Sequence, residues 1–132
     1  MKTLSPSLED YLEAIYILKE KKGFTRVSEI ANFLKVKMPS VNSALKILVG
    51  KGLVVHETYG YVSLTDKGEK SAKKVYSRHL ILKRFLKDVL GVDEKKAEQD
   101  ACRIEHHISQ ESLEKLLKYI KKVINKDVAI SG

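Results

Sequence analysis

The chain has only two prolines, and each stands where a stretch with helical spacing begins; glycines close the same stretches. Ser5-Pro6-Ser7 offers a capping hydroxyl and a residue already bent for a first turn. Leu8, Leu12, Ile15 and Leu18, with Tyr11, then follow helical spacing up to Gly23, which predicts a first helix. Thr25 is suited to cap a short second helix with Val27, Ile30, Ala31 and Leu34 inside. Lys35-Val36-Lys37 makes a tight turn, and Pro39 takes the first position of a third helix. In that helix Val41, Leu45, Leu48 and Val49 face inward, Ser40, Asn42, Ser43 and Lys46 are left outside, and Gly50 and Gly52 end it. Leu53–Glu57 and Tyr61–Leu64 read as strands joined at Thr58-Tyr59-Gly60, with Gly60 free to take positive φ. A helix, a helix–turn–helix and a hairpin in this order predict a winged helix–turn–helix over residues 1–75, a fold suited to the DNA major groove.

The second half, residues 76–132, reads as helical throughout. Thr65-Asp66 caps a long fourth helix with an apolar stripe of Val75, His79, Leu82, Leu86 and Val89, and Gly91 closes it. Asp93 caps a fifth helix, Ser109 breaks it, and Leu113, Leu116, Leu117, Ile120 and Ile124 mark a sixth. Asp127 to Gly132 are expected to fray.

Composition narrows the function classes. No apolar run reaches transmembrane length, and the first ten residues lack the apolar centre of a signal peptide, so a cytoplasmic protein without membrane contact is expected. A lone cysteine, Cys102, cannot form an internal disulfide and is open to packing, redox or metal chemistry. The formal charge is +8; residues 1–75 hold 13 basic and 8 acidic groups (+5), and residues 76–132 hold 12 and 9 (+3). A basic front half suits a polyanionic partner, although a lysine-rich surface alone would look the same.

Cys102-Arg103-Ile104-Glu105-His106-His107 carries the most chemistry. In a helix, Cys102, Glu105 and His106 sit at i, i+3 and i+4 and share one face, with Glu98 one turn earlier. A thiolate, a carboxylate and an imidazole within one turn make a transition-metal half-site. The bland alternative puts Cys102 in the core and the other two on a solvated edge. Similarly, Asp10 and Glu13 share a side of the first helix and would ordinarily be dipole-stabilising decoration, and a lone His79 in an apolar stripe is ordinarily core.

These blocks together resemble a known family. Leu8-Glu9-Asp10-Tyr11-Leu12-Glu13-Ala14-Ile15-Tyr16, Arg26-Val27-Ser28-Glu29-Ile30-Ala31, Leu64-Thr65-Asp66-Lys67-Gly68, Arg78-His79 and Cys102–His107 are similar, in order, to blocks of the diphtheria toxin repressor/manganese transport regulator (DtxR/MntR) family. The resemblance covers roughly residues 4–125. It implies a metal-activated transcriptional repressor, mainly α, with an N-terminal winged helix–turn–helix bearing a small β-hairpin wing, followed by a helical metal-binding and dimerisation domain. It assigns metal ligation to Asp10, Glu13, His79, Cys102, Glu105 and His106. Asp10 and Glu13 look like the manganese branch, Cys102 like the iron branch. Glu98 and His79 are what remains of the iron branch's second site, where an acidic residue is replaced by Lys83, which can instead pair with Glu98. The effector expected is Mn²⁺ or Fe²⁺, with Zn²⁺, Co²⁺ or Ni²⁺ possible in vitro. The expected partners are a double-stranded DNA operator, met through Arg26, Lys37, Pro39, Ser40, Asn42, Ser43, Lys46 and Tyr59, and a second copy of the chain, met through the sixth helix and part of the fifth. A winged-helix regulator without metal and a metalloenzyme are the competing readings; the latter lacks any mark of a substrate pocket.

Overall fold

The computed structural model describes residues 4–57 and 60–131. It is mainly helical with one small antiparallel sheet, and the chain divides into two compact units, residues 1–75 and 76–132.

In the first unit, α1 spans Pro6–Lys22; the Ser5 hydroxyl accepts from the Leu8 amide at 3.2 Å, and Gly23 ends the helix at φ 84°. Next come β1 (Thr25–Arg26), α2 (Val27–Leu34), α3 (Met38–Gly50), β2 (Val54–His56) and β3 (Tyr61–Leu64). The α2–α3 turn runs through Lys35 at φ 58°, a left-handed conformation carried by a non-glycine residue. Leu12, Ile15, Ile30, Val41, Leu45 and Leu48 form the centre of the core, each at most 1% exposed. Burying such side chains stabilises by about 1.5–3 kcal/mol each, which holds α3 against α1 and α2.

Four expectations need correction here. Thr25 does not cap α2. It is fully buried in β1, paired with Val62, while Arg26 stands at the N-cap and its amide donates to the Glu29 carboxylate at 3.1 Å. The sheet therefore has three strands, in the order β1-β3-β2, where a hairpin was expected. Pro39 is the second residue of α3, after Met38. Val49 is 44% exposed; Ala44 takes the inward place, because a helix this short presents a single buried stripe at 41, 44, 45 and 48. Gly60 has φ 93° as expected of the wing turn, while Thr58 and Tyr59 lie outside the described residues.

The fourth helix, α4 (Asp66–Arg84), starts at Thr65, whose hydroxyl accepts from the Gly68 amide at 3.0 Å and donates to the Gly52 carbonyl at 2.7 Å. It passes into a π turn, Phe85–Val89, before Gly91 at φ 76°. The spacing of the apolar stripe gave no sign of this turn. In the second unit the Asp93 carboxylate caps α5 (Glu94–Ile104), accepting from the Lys96 amide at 3.2 Å. The Ser109 hydroxyl accepts from the Ser112 amide at the start of α6 (Gln110–Ser131). The regular helix is assigned to Ser131; the fraying expected from Asp127 falls on residues whose side chains are not described, and Gly132 lies outside the described residues. A smaller core joins Leu82, Ala101 and Leu113, with Leu86 and Leu116 against it. Part of the α6 stripe is thus intramolecular.

Gly68 meets the backbone so closely that a Cβ there would lie 1.8 Å from the Leu53 carbonyl oxygen. Glycine inside a helix ordinarily costs about 1 kcal/mol against alanine. Here overpacking against backbone outweighs that gain, and Gly68→Ala is expected to destabilise the chain by about 3 kcal/mol or more in thermal or urea unfolding. Gly50→Ala, with nothing within 4 Å of its Cβ, is expected to be neutral or mildly stabilising.

Candidate metal centre

In the first unit, Asp10 and Glu13 stand three residues apart on α1 and share one side of it. Glu13 is only 8% exposed, so it is not solvated decoration; a buried carboxylate needs hydrogen bonds or a cation to compensate its desolvation. Asp10 is half-buried. Burial first, and the Asp10 charge second, hold the neighbouring Tyr11 phenol above its ordinary value.

In the second unit, α5 turns Ala97, Ala101 and Glu105 to its buried side at four-residue intervals, with exposures of 0%, 0% and 1%. The small alanines let the helix pack closely, and the carboxylate falls at the end of their stripe. Glu105 is also the C-cap of α5. Burial and the negative end of the helix both disfavour a charge there, so a neighbouring cation has to offset it. His79 on α4 supplies one contact: Nδ1 lies 2.6 Å from Glu105 Oε1. Glu105 Oε2 is buried with no hydrogen-bond partner among the described residues. The His79 ring stacks on Tyr76, its centroid 6.3 Å away at an interplanar angle of 6°. On its other side Nε2 lies 2.7 Å from Glu98 Oε2, and Glu98 Oε1 lies 3.1 Å from the Lys83 ammonium.

Cys102 and His106, one turn apart, are both half-buried and each offers a ligand atom within 4.8 Å of the other; His79 and Glu105 do the same, both buried. α5 ends at Ile104, and Glu105 to His107 continue as a turn, with Glu105 still in helical conformation (φ −56°, ψ −28°). The i, i+3, i+4 relation therefore survives although the regular helix stops. The bland alternative is inverted: Cys102 is half-buried, and Glu105 is among the most buried side chains of the chain. A thiol and an imidazole in one pair, and an imidazole and a carboxylate in the other, are donors of mixed softness that fit a first-row divalent metal, and the unpartnered Glu105 oxygen is what an ion at the second pair would satisfy. Tyr76, which lies parallel to the His79 ring, was missed from sequence; its only signal is an aromatic residue three positions before the histidine.

On the candidate DNA face, Lys37, Pro39, Ser40, Asn42, Ser43 and Lys46 are all exposed, at or along α3. Arg26 is exposed, but its guanidinium donates to the Tyr61 hydroxyl at 2.8 Å and stacks on that ring. Tyr61 was not anticipated; it alternates with the buried Val62 on β3. Tyr59 lies outside the described residues.

Comparison with known proteins bears on both units. Residues 3–62 match the family model of the iron dependent repressor N-terminal DNA binding domain, and residues 65–125 that of the iron dependent repressor metal binding and dimerisation domain. An uncharacterised HTH-type transcriptional regulator of Methanocaldococcus jannaschii is 40% identical over 124 residues, 93% of this chain and 99% of the relative. The HTH-type transcriptional regulator MntR of Bacillus subtilis is 42% identical over 112 residues, 85% of this chain and 78% of the relative. Among solved structures, the manganese regulator SloR matches with a TM-score of 0.75 at 30% identity, over 91% of this chain and 55% of that one. IdeR of T. acidophilum matches in fold, with a TM-score of 0.79 at 23% identity, over 92% of this chain and 56% of that one. The chain thus spans about half the length of these solved chains. With both units matched by their family models and a relative 42% identical over most of its length, the chain belongs to the iron-dependent repressor (DtxR/MntR) family, whose members are transcriptional repressors and not enzymes.

Proposed function

We propose that this chain is a cytoplasmic repressor that binds operator DNA as a homodimer when loaded with Mn²⁺ or Fe²⁺, and that it controls uptake of that metal. The observation that carries this is the buried His79–Glu105 pair, whose second carboxylate oxygen lacks a partner, beside Cys102 and His106. The ligands proposed are His79, Cys102, Glu105 and His106 of the second unit, with Asp10 and Glu13 of α1 as the further oxygen donors of the family pattern and Glu98 as an auxiliary carboxylate. A bound dication would supply fixed positive charge to groups that burial and the α5 terminus otherwise leave short of it.

The residues themselves set the selectivity. Thiolate donation from Cys102 favours Fe²⁺; hard oxygen donors from Asp10 and Glu13 favour Mn²⁺. The two recognition helices of a dimer must meet half-sites about 34 Å apart. An ion need only bind the competent arrangement about tenfold better, about 1.4 kcal/mol, to change DNA affinity tenfold. α3 would enter the major groove, its Ser40, Asn42 and Ser43 meeting bases and its Lys46 a phosphate, with Lys37, Pro39, Arg26 and Tyr59 at the margin.

The deciding experiment is an anaerobic operator-binding titration with Mn²⁺ and Fe²⁺ side by side. Retention of operator DNA is expected with either ion and loss with chelator; equal affinity in both conditions would defeat metal control. Lys46→Ala is expected to weaken binding to all sequences and to lower the salt slope by about one, read from affinity against salt concentration. A loss confined to one base pair would instead make Lys46 a base reader. Cys102→Glu is expected to raise the preference for Mn²⁺ over Fe²⁺ in the same titration, because a carboxylate replaces the softer donor. An unchanged preference would make Cys102 a packing residue.

A further inference from the structure

Lys83 follows His79 by one turn on α4, so the two project to the same side. They share one partner. Glu98 gives Oε1 to the Lys83 ammonium at 3.1 Å and Oε2 to His79 Nε2 at 2.7 Å. His79 Nδ1 is held by Glu105 at 2.6 Å. Both nitrogens of the ring are therefore engaged, and an ion can use the histidine only after one of these contacts gives way. The two carboxylates are not equally free to move. The Glu105 side chain is fully buried at the end of α5, whereas that of Glu98 is 51% exposed. The Nε2 contact is thus the one that can give way, and Glu98 is the group that has to yield before the ring is free to turn to an ion that Glu105 also holds. Lys83, with its side chain 29% exposed, is shielded enough for its charge to count in that exchange.

We propose that Lys83 is a positioning residue that holds Glu98 against His79 and so competes with the divalent ion for both groups, setting the metal concentration at which the chain loads. The same contact gives Glu98 a cation of the chain's own, which discourages a second metal ion beside the first. This rests on the metal-binding reading above and assigns Lys83 the part of a threshold setter within it. Removing the charge frees Glu98 and so strengthens loading. A pair of this exposure contributes up to about 1 kcal/mol, so the gain expected is about twofold to fivefold in affinity.

The test is calorimetric titration of the metal-stripped full chain with Mn²⁺, and anaerobically with Fe²⁺, with circular dichroism confirming the fold of each variant. Lys83→Gln, and Lys83→Met as a second charge-removing variant, are expected to bind the ion about twofold to fivefold more tightly than the wild type or to take up an additional equivalent. Lys83→Arg is expected to stay close to the wild type. In a Glu98→Gln background the effect of Lys83→Gln should vanish, because the lysine acts through that carboxylate. Equal affinity and stoichiometry in wild type and Lys83→Gln would overturn the proposal, as would a gain that persists in the Glu98→Gln background. A folded wild type that takes up neither ion would overturn the metal-binding reading itself, and this one with it.

Discussion

A carboxylate placed where both burial and a helix end oppose its charge is the constraint on which the second unit turns. Glu105 is 1% exposed and closes α5, so the last carbonyls of that helix point towards it. Such a group is held only if a positive or hydrogen-bonding partner is held with it. His79 answers on one side, and the small core of Leu82, Ala101 and Leu113 keeps α4, α5 and α6 packed around the pair. The alanines at 97 and 101 are therefore part of the site although they carry no chemistry. Larger residues there would hold α5 away and pull the carboxylate out of reach.

The first unit is governed by different physics. The side chains that hold α3 are apolar: its buried stripe is Val41, Ala44, Leu45 and Leu48. The outward side chains of α3 are consequently presented by hydrophobic packing that no ion has to support. Metal control, in the function proposed, then has no need to make or melt the recognition helix; it acts on a helix already formed.

Much of this architecture was legible because its punctuation is local. Ser5-Pro6, Gly23 and Asp93 act through backbone groups within a few positions of themselves, and the structure places each at a helix boundary; Ser109, expected to break α5, instead caps α6, since α5 already ends at Ile104. Thr25 was misread because its role is long-range. A threonine before an apolar helical run fits a cap, and only pairing with Val62, far along the chain, makes it a strand residue. Val49 was misread because two apolar neighbours, Leu48 and Val49, cannot both face the core of one short helix, and spacing alone did not choose between Val49 and Ala44. At the site, the pairing of Lys83 with Glu98 was readable from opposite charges at two positions that the family resemblance brings together. The depth at which Glu105 and Glu13 are buried was not, since exposure depends on packing that a sequence does not display.

The π turn at Phe85–Val89 has a consequence for how relatives should be aligned. It packs against both α5 and α6, so its geometry is tied to the second unit's interior. A π turn accommodates one more residue than the α-helical turn it replaces. A homologue with an uninterrupted helix here would be one residue shorter between Arg84 and Gly91. Aligning such a chain without a gap would displace every later position by one, exchanging Cys102 for a neighbour about 100° around the helix. Ligand assignments across the family therefore depend on where the indel is placed, and the bulge marks the place to put it.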